Sequence, residues 1–247
     1  MKVLIIGDVM GKPGRDAMKE FLDKKKNDYD FVIVNGENAA AGFGITPKIA
    51  DEFFELGVDV ITSGNHIWDK KELYPYLDEN RNILRPLNYP KGVPGFGYTI
   101  KENGKGEKIA VINIQGRVFM PEVDSPFQRI EEAIEEIKKE TKNIIVDFHA
   151  EATSEKLAMG WYLDGRVSAV YGTHTHVQTA DERILEKGTG FINDVGMTGS
   201  HDSIIGMTIE TVLPKFLTSL PSRFEVATGN VKVNGIELHI EIGRAHV

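Results

Sequence analysis

Side chains of the metal-binding type follow five short apolar runs of this sequence. The runs are VLIIG, FVIVNG, VITSG, IIVDF and AVYGT, and the residues that follow them are Asp8, Glu37, Asn38, Asn65, His149, His174 and His176. Carboxylate, amide and imidazole groups bind hard or borderline ions such as Mn, Fe, Mg or Zn. One tetrahedral ion needs fewer than seven ligands. The pattern therefore predicts two metal ions that share a bridging carboxylate, as in phosphoesterases, with Glu37 as the natural bridge.

Each of these residues taken alone has a simpler interpretation. An Asp after a strand is often a helix cap, a Gly-Asn pair is often a turn, and a histidine is often surface. Their recurrence after five separate runs favours the metal site. In the triplet His-Thr-His, an extended backbone would put His174 and His176 on one side, because strand side chains alternate with period two. The alternative is an edge strand with two unrelated histidines.

The apolar runs themselves predict the elements that position these side chains. Short β-branched runs predict strands at Val3-Ile6, Phe31-Val34, Val58-Thr62, Ile109-Ile114, Ile144-Phe148 and Ser168-Tyr171. Helix starts are indicated at Pro13, Pro47 and Ser125-Pro126. This is the alternation of a parallel α/β sheet, in which ligands bind beyond the carboxyl ends of the strands. The seven side chains are therefore expected to converge.

Beyond about Arg183 the pattern changes to shorter strand candidates. They lie around 183–186, 190–192, 224–227 and 231–240, with one helix near Ile209-Leu217. This indicates a second, more antiparallel sheet. With no linker or composition break in 247 residues, we expect one domain over residues 1–242, an α/β fold with four α/β/β/α layers.

The composition narrows the function classes. A formal net charge of −8 argues against a broad basic surface for duplex nucleic acid but leaves a small anionic substrate open. The absence of cysteine excludes disulfides and thiolate ligands. No apolar stretch approaches the roughly 20 residues that span a bilayer, and the expected location is the cytoplasm. The last residues, 243–247 (GRAHV), break the preceding strand pattern, and we interpret them as a non-native tail.

Five motifs together resemble the YmdB-like family of calcineurin-type metallophosphoesterases. They are GDVMGKPGR, VNGENAAAGFGIT, TSGNHIWD, DFHAEATSEK and YGTHTHVQTAD, and the likeness extends over nearly the whole chain. Two residues depart from the wider superfamily. Met10 stands where its first motif has a histidine, and Glu37 replaces the second aspartate. The YmdB-like subgroup has both departures.

The resemblance implies roles for the individual residues. Asp8, Asn38 and His176 would bind one metal ion, and Asn65, His149 and His174 would bind the other, with Glu37 bridging. Asn38, which would replace the missing histidine, could instead contact phosphate or water. His66, which follows Asn65, would be the general acid, protonating the leaving oxygen while a hydroxide that bridges the metals attacks phosphorus. Fe or Mn is the favoured metal.

The resemblance implies hydrolysis of phosphodiesters, with 2′,3′-cyclic nucleotides favoured. A nucleotidase or broad phosphomonoesterase on the same site is the first alternative. A regulatory protein that binds nucleotides or RNA through its metals, without turnover, is the second. RNA ends as a partner and a homo-oligomer both stay open, and no membrane partner is expected.

Overall fold

The computed structural model describes residues 1–241 and 244–246. The helices, in chain order, are α1 (Gly11–Lys25), α2 (Pro47–Glu55), α3 (Leu73–Glu79), α4 (Pro126–Ile137), α5 (Thr153–Leu163) and α6 (Ile209–Thr218). The strands are β1 (Lys2–Ile6), β2 (Asp8–Val9), β3 (Phe31–Asn35), β4 (Val60–Thr62), β5 (Tyr98–Glu102), β6 (Lys108–Gln115), β7 (Ile144–His149), β8 (Ala169–Thr173), β9 (Arg183–Ile184), β10 (Gly190–Ile192), β11 (Met197–Ser200), β12 (Val231–Lys232), β13 (Gly235–Glu241) and β14 (Arg244–His246).

Two large sheets form the centre of the fold. One has the order β14-β13-β1-β3-β4 and the other β5-β6-β7-β8-β10-β9, while β12-β11-β2 make a small third sheet. The inner neighbours are parallel, with Val3 opposite Phe31 and Ile145 opposite Ala169. Antiparallel strands lie at one edge of the first sheet and at both edges of the second, whereas β4 ends the first sheet as a parallel strand. The parallel strands end on the same side, which brings their carboxyl-terminal residues together.

The alternation of side chains shows how the layers pack. On β1, Val3 and Ile5 belong to the core between the two sheets, whereas Leu4 and Ile6 pack on the helices outside. The second sheet does the same, with Ile145 facing inward and Val146 facing the helices. Because each sheet is buried on both faces, its strands are apolar throughout rather than alternating. The four-layer α/β/β/α prediction is confirmed.

Two of the three predicted helix starts are confirmed, whereas α1 begins at Gly11, two residues before Pro13. Thr46 caps α2 by accepting a hydrogen bond from the Ile49 N–H at 3.3 Å, and Pro47 follows at the first helical position. Pro126 opens α4, which buries Ile130, Ala133, Ile134 and Ile137 at helical spacing. These apolar stripes hold the outer layers on the sheets.

The prediction of a separate antiparallel C-terminal sheet is wrong. Strand β13 joins the first sheet beside β1, because its alternating Leu238 and Ile240 add to the core between the sheets. The strand predicted over 224–227 reduces to one bridge between Met207 and Val226. Of the predicted non-native tail, Gly243 and Val247 lie outside the described residues, while Arg244–His246 pair with β13. Within the described chain, none of the helices has the length and apolar character to cross a membrane.

Candidate metal centre

His149 and the three residues around its imidazole form the most closely packed part of the site. His149 Nε2 lies 2.7 Å from Glu37 Oε2, 3.0 Å from His174 Nδ1 and 3.3 Å from Asn65 Oδ1. Glu37, His149 and His174 together could hold a metal ion, since their ligand atoms all lie within 4.8 Å of one another. Side chains from four strand ends therefore meet, as the sequence predicts.

Buried hydrogen bonds fix the orientation of the His149 ring. Its Nδ1 lies 2.9 Å from the hydroxyl of Thr173, which donates to Asp147 Oδ1 at 2.7 Å. Thr62 and Asn35 also donate to Asp147. With its Nδ1 proton donated to Thr173, His149 presents the Nε2 lone pair to the cluster, the arrangement that metal-binding histidines use.

Gly64 is required for the backbone to pass over this imidazole. A β-carbon built at Gly64 would lie 2.1 Å from His149 Nε2. Any larger residue would displace the ring. The glycine in TSGNH thus has a packing reason in addition to the turn that leads into the 3₁₀ helix Asn65–Trp68.

His176 and Asn38 make a second pair. His176 Nε2 lies 3.2 Å from Asn38 Oδ1, and its Nδ1 lies 2.9 Å from the carbonyl of Ile205. The amide nitrogen of Asn38 donates to the Gly42 carbonyl at 3.0 Å. This contact assigns the amide orientation and leaves Asn38 Oδ1, rather than nitrogen, facing His176.

Asp8 is fully buried, and its side chain contacts the backbone of His174. Its Oδ2 accepts a hydrogen bond from the His174 N–H at 3.3 Å, whereas its Oδ1 has no hydrogen-bond partner within the described chain. A buried carboxylate oxygen without a donor is costly, and an unfilled cation position is one way to satisfy it.

The His-Thr-His triplet is not extended, so the prediction that strand alternation puts His174 and His176 on one side is wrong. His174 and His176 have positive φ values of 94° and 65°, a region that non-glycine residues seldom occupy. Both histidines nevertheless line the same cavity. Asp194 holds the turn by accepting from the N–H and hydroxyl of Thr175 and from the ammonium of Lys156, and both members of this ion pair are buried.

His66 lies at the edge of the cluster. Its backbone N–H donates to Glu37 Oε1 at 2.7 Å, and its ring Nδ1 lies 2.9 Å from Asp69 Oδ2. The ring packs edge-on against Phe43, with 5.1 Å between centroids. Its side chain is partly exposed and lines the cavity.

Charge and burial set the protonation of the cluster. Burial opposes ionisation of Glu37, but the charge and hydrogen bond of His149 lower its pKa to about 2. Burial, followed by the charge of His149, lowers the pKa of His174 to about 3, and burial lowers the pKa of His176. Burial raises the pKa of Asp8, and neighbouring carboxylates add to the rise while His149 opposes it. Burial opposes protonation of His149, but the charge and hydrogen bond of Glu37 raise its pKa, so the two form a buried ion pair. Anionic Glu37 with neutral His174 and His176 are forms that bind metals, and a metal ion would take the place of the proton on His149.

The cavity above the cluster has a volume of about 290 Å³ and two unlike sides. We call the seven predicted ligands the polar floor; four of them, Glu37, Asn38, His174 and His176, line the cavity itself. The opposite side, the apolar wall, consists of Phe43, Met207, Val212, Lys215, Phe216 and Phe224. The amphipathic pattern of α6 indicates an apolar face on this helix, but it does not indicate that the face borders the cavity, so the wall was not predicted.

Other residues considered for the site have different positions. Glu151 Oε2 lies 3.3 Å from His174 Nε2, whereas Arg117 lines a separate depression with Glu122 and Phe127. Met10, in the position of the superfamily's first histidine, is buried among Met197 and Met207 and also lines the cavity. An apolar residue thus occupies that position.

Comparison with known sequences gives a match to the family model described as YmdB-like protein over residues 4–246. The chain belongs to the YmdB-like family. A Bacillus subtilis relative named 2′,3′-cyclic-nucleotide 2′-phosphodiesterase is 55% identical over 244 residues, which cover 98% of this chain and 92% of the relative. A Mycoplasma pneumoniae relative named putative phosphatase/phosphodiesterase is 37% identical over 256 residues, covering 100% of this chain and 90% of its own.

Solved structures agree with this assignment. A Thermus thermophilus protein described as hypothetical superimposes with a TM-score of 0.95 at 47% identity, covering 100% of this chain and 96% of that one. A Mycoplasma pneumoniae protein described as a novel phosphatase gives a TM-score of 0.92 at 36% identity, with 100% and 91% coverage. As a member of the YmdB-like family, the chain is a phosphoric ester hydrolase.

Proposed function

We propose that this YmdB-like protein is a dinuclear-metal phosphodiesterase that hydrolyses nucleoside 2′,3′-cyclic phosphates. The observation that carries the proposal is the meeting of carboxylate, amide and imidazole groups from separate strand ends in one cavity. The name of the Bacillus subtilis relative supports the choice of cyclic nucleotide.

The contacts within the polar floor favour binding of a cation there. With His149 donating its Nδ1 proton, Nε2 of His149, Oε2 of Glu37 and Oδ1 of Asn65 are all acceptors, yet His149 Nε2 lies 2.7 Å and 3.3 Å from the two oxygens. Such a group requires a positive charge among its members, either a proton on His149 or a cation. The unpartnered Oδ1 of Asp8 fits a cation equally well.

The family resemblance divides the residues into two sets, and the contacts of His149 with Asn65 and His174, and of His176 with Asn38, fall within them. Asn65, His149 and His174 would hold one ion, and Asp8, Asn38 and His176 the other. Glu37 would be shared by both ions, and its Oε1 also accepts a hydrogen bond from the His66 N–H, which orients the carboxylate. With no thiolate in the chain, we infer Fe or Mn from this oxygen and nitrogen set.

When bound, the ions would supply Lewis-acid stabilisation of phosphoryl charge and a lowered pKa for water. The residues of the chain perform the remaining tasks. His66 would donate a proton to the leaving oxygen of the cyclic ester, and Asp69 would hold the other ring nitrogen so that the ring keeps its orientation. Phe43, packed on the same ring, would limit access of water.

Activity on a panel of phosphoesters tests the proposal. Protein purified without oxygen would be analysed for metal and assayed with 2′,3′-cyclic nucleotides, 3′,5′-cyclic nucleotides and nucleoside monophosphates. We expect two metal ions per chain and the largest kcat/KM for 2′,3′-cyclic nucleotides. A preference for monoesters would favour the nucleotidase alternative. Metal and nucleotide binding without turnover by any divalent ion would favour the regulatory binder.

The remaining predictions from the sequence stay predictions. They are one domain over residues 1–242, the non-native origin of residues 243–247, a location in the cytoplasm, RNA ends as a partner and a homo-oligomer.

A further inference from the structure

Helix α6 places apolar side chains above the polar floor. Val212 and Phe216 are four residues apart and therefore lie on the same face of the helix. Val212 is 5% exposed and anchors the helix on Met10, Met197 and Met207. Phe216 is 74% exposed, although it lines the cavity. The helix thus keeps a large aromatic ring at the cavity, mostly in contact with solvent.

The apolar wall is continuous with the groups that would react. Phe43 contacts the His66 ring on one side and faces the same cavity as Phe216. Lys215 places its ammonium 5.1 Å from the centre of the Phe224 ring, which adds a positive charge to the wall. A ligand of this cavity would therefore meet metal-binding groups on one side and aromatic rings with one cation on the other.

The size and chemistry of the cavity select the kind of ligand. A volume of about 290 Å³ is near the lower end for small-molecule pockets, so a mononucleotide is a better match than a polymer. An alkyl or sugar phosphate would leave the rings in water. A nucleobase has a flat π-face that stacks on aromatic side chains regardless of base identity.

We propose that the apolar wall binds the nucleobase of the substrate, with Phe216 as the stacking residue that sets the preference for nucleosides. The inference rests on the proposed phosphodiesterase function and extends it to the part of the substrate that does not react. Stacking of this kind is sequence-tolerant, so purine and pyrimidine substrates are both expected.

The test compares a nucleoside 2′,3′-cyclic phosphate with methyl riboside 2′,3′-cyclic phosphate, which lacks the base. In Phe216→Ala, the ratio of their kcat/KM values should fall by about 5-fold to 150-fold, the range that loss of one stacking contact gives. Phe216→Trp keeps an aromatic ring and should retain most of the ratio. Leu217→Ala is the matched control, since Leu217 is 75% exposed on the same helix and is outside the cavity lining.

Binding provides a readout independent of turnover. Titration of a nucleoside 3′-monophosphate, the product of opening the 2′ ester, into the metal-loaded protein should give a weaker Kd for Phe216→Ala than for Leu217→Ala. An unchanged ratio in Phe216→Ala would overturn base binding, and so would an equal fall in Leu217→Ala. In either case, hydrolysis of 2′,3′-cyclic phosphates by the wild-type protein would leave the proposed function standing. A wild-type protein that hydrolyses neither substrate would overturn the proposed function and this inference with it.

Discussion

The two sides of the cavity are built in opposite ways. Five of the seven polar-floor residues are buried. Thr173, itself bonded to Asp147, holds the His149 ring, and Asp194 holds Thr175 between His174 and His176. The apolar wall comes largely from one segment, and α6 attaches to the body mainly through Val212. Positions on the floor are fixed from several directions, whereas three of the six wall residues, Val212, Lys215 and Phe216, depend on the packing of one helix.

This difference matches what each side has to do. Metal ligands must hold their geometry to within a fraction of an ångström, and buried hydrogen bonds to the ligands provide that precision. An apolar surface that stacks on a base has no directional requirement of that kind. We therefore expect substitutions on the floor to change metal binding or turnover, and substitutions on the wall to change substrate preference.

His66 contacts both sides, since its backbone N–H donates to Glu37 and its ring packs on Phe43, and its substitution should have the largest effect. His66→Ala should lower kcat by about 10²–10⁴-fold, because a positioned general acid contributes that much, while the metal content stays unchanged. Steady-state kinetics with elemental analysis measure both. Asp69→Asn, which weakens the contact to Nδ1 without removing the ring, is the milder control. Unchanged turnover in His66→Ala would remove this residue from the mechanism.

Removal of metal should lower the Tm of the protein, because the ions would bind the residues of the floor. Ions that bind the folded chain stabilise it by about 2.7 kcal/mol at a hundredfold excess over Kd, which corresponds to about 5–10 °C in Tm for a chain of this size. Calorimetry before and after chelation measures the shift, and Mn²⁺ should restore it. Equal Tm values would contradict metal binding by these residues.

Asp194 tests how the floor is supported, since it contacts the His-Thr-His turn rather than the ions. Asp194→Asn should weaken metal affinity by about 10-fold to 100-fold, as loss of a hydrogen bond behind a ligand does. It also leaves Lys156 buried without its partner, which lowers stability. Asp164→Asn is a matched control, because Asp164 is a buried aspartate that accepts backbone N–H groups elsewhere. Equal metal affinity in the two variants would show that Asp194 acts on stability alone.

The sequence predicts the floor and misses the wall for a physical reason. Asp8, Asn65 and His149 follow strands whose buried β-branched runs are visible locally, and the rule for parallel strand ends brings them together. The wall depends on where α6 packs, which its own amphipathic pattern leaves undetermined. The positive φ of His174 and His176 also had no local signal, because Asp194 and Lys156, which hold the turn, are distant in sequence.

The antiparallel edges could not be derived in the same way. Strand β13 has the alternation of an edge strand, but nothing in residues 235–241 specifies β1 as its neighbour. Strand β13 pairs with the side of β1 that β3 leaves free, and only the assembled sheet shows which side that is. Long-range pairing of this kind is set by tertiary packing rather than by propensity.

Substitution in an ion pair outside the cavity should have the smallest effect on stability. It serves as the surface reference for substitutions on the floor. Arg166 makes two hydrogen bonds to Glu131, which lower the pKa of Glu131 to about 2 from its ordinary 4.5. Because the folded-state pKa is depressed, the pair stabilises the fold above pH 4.5, and that contribution is lost as the pH falls toward 2. Solvent exposure limits it to less than about 1 kcal/mol. Glu131→Gln should therefore shift the urea midpoint slightly at pH 6, less at pH 3, and leave kcat unchanged. If Glu131→Gln shifted the urea midpoint as much as Asp194→Asn does, burial would not distinguish the floor from the surface.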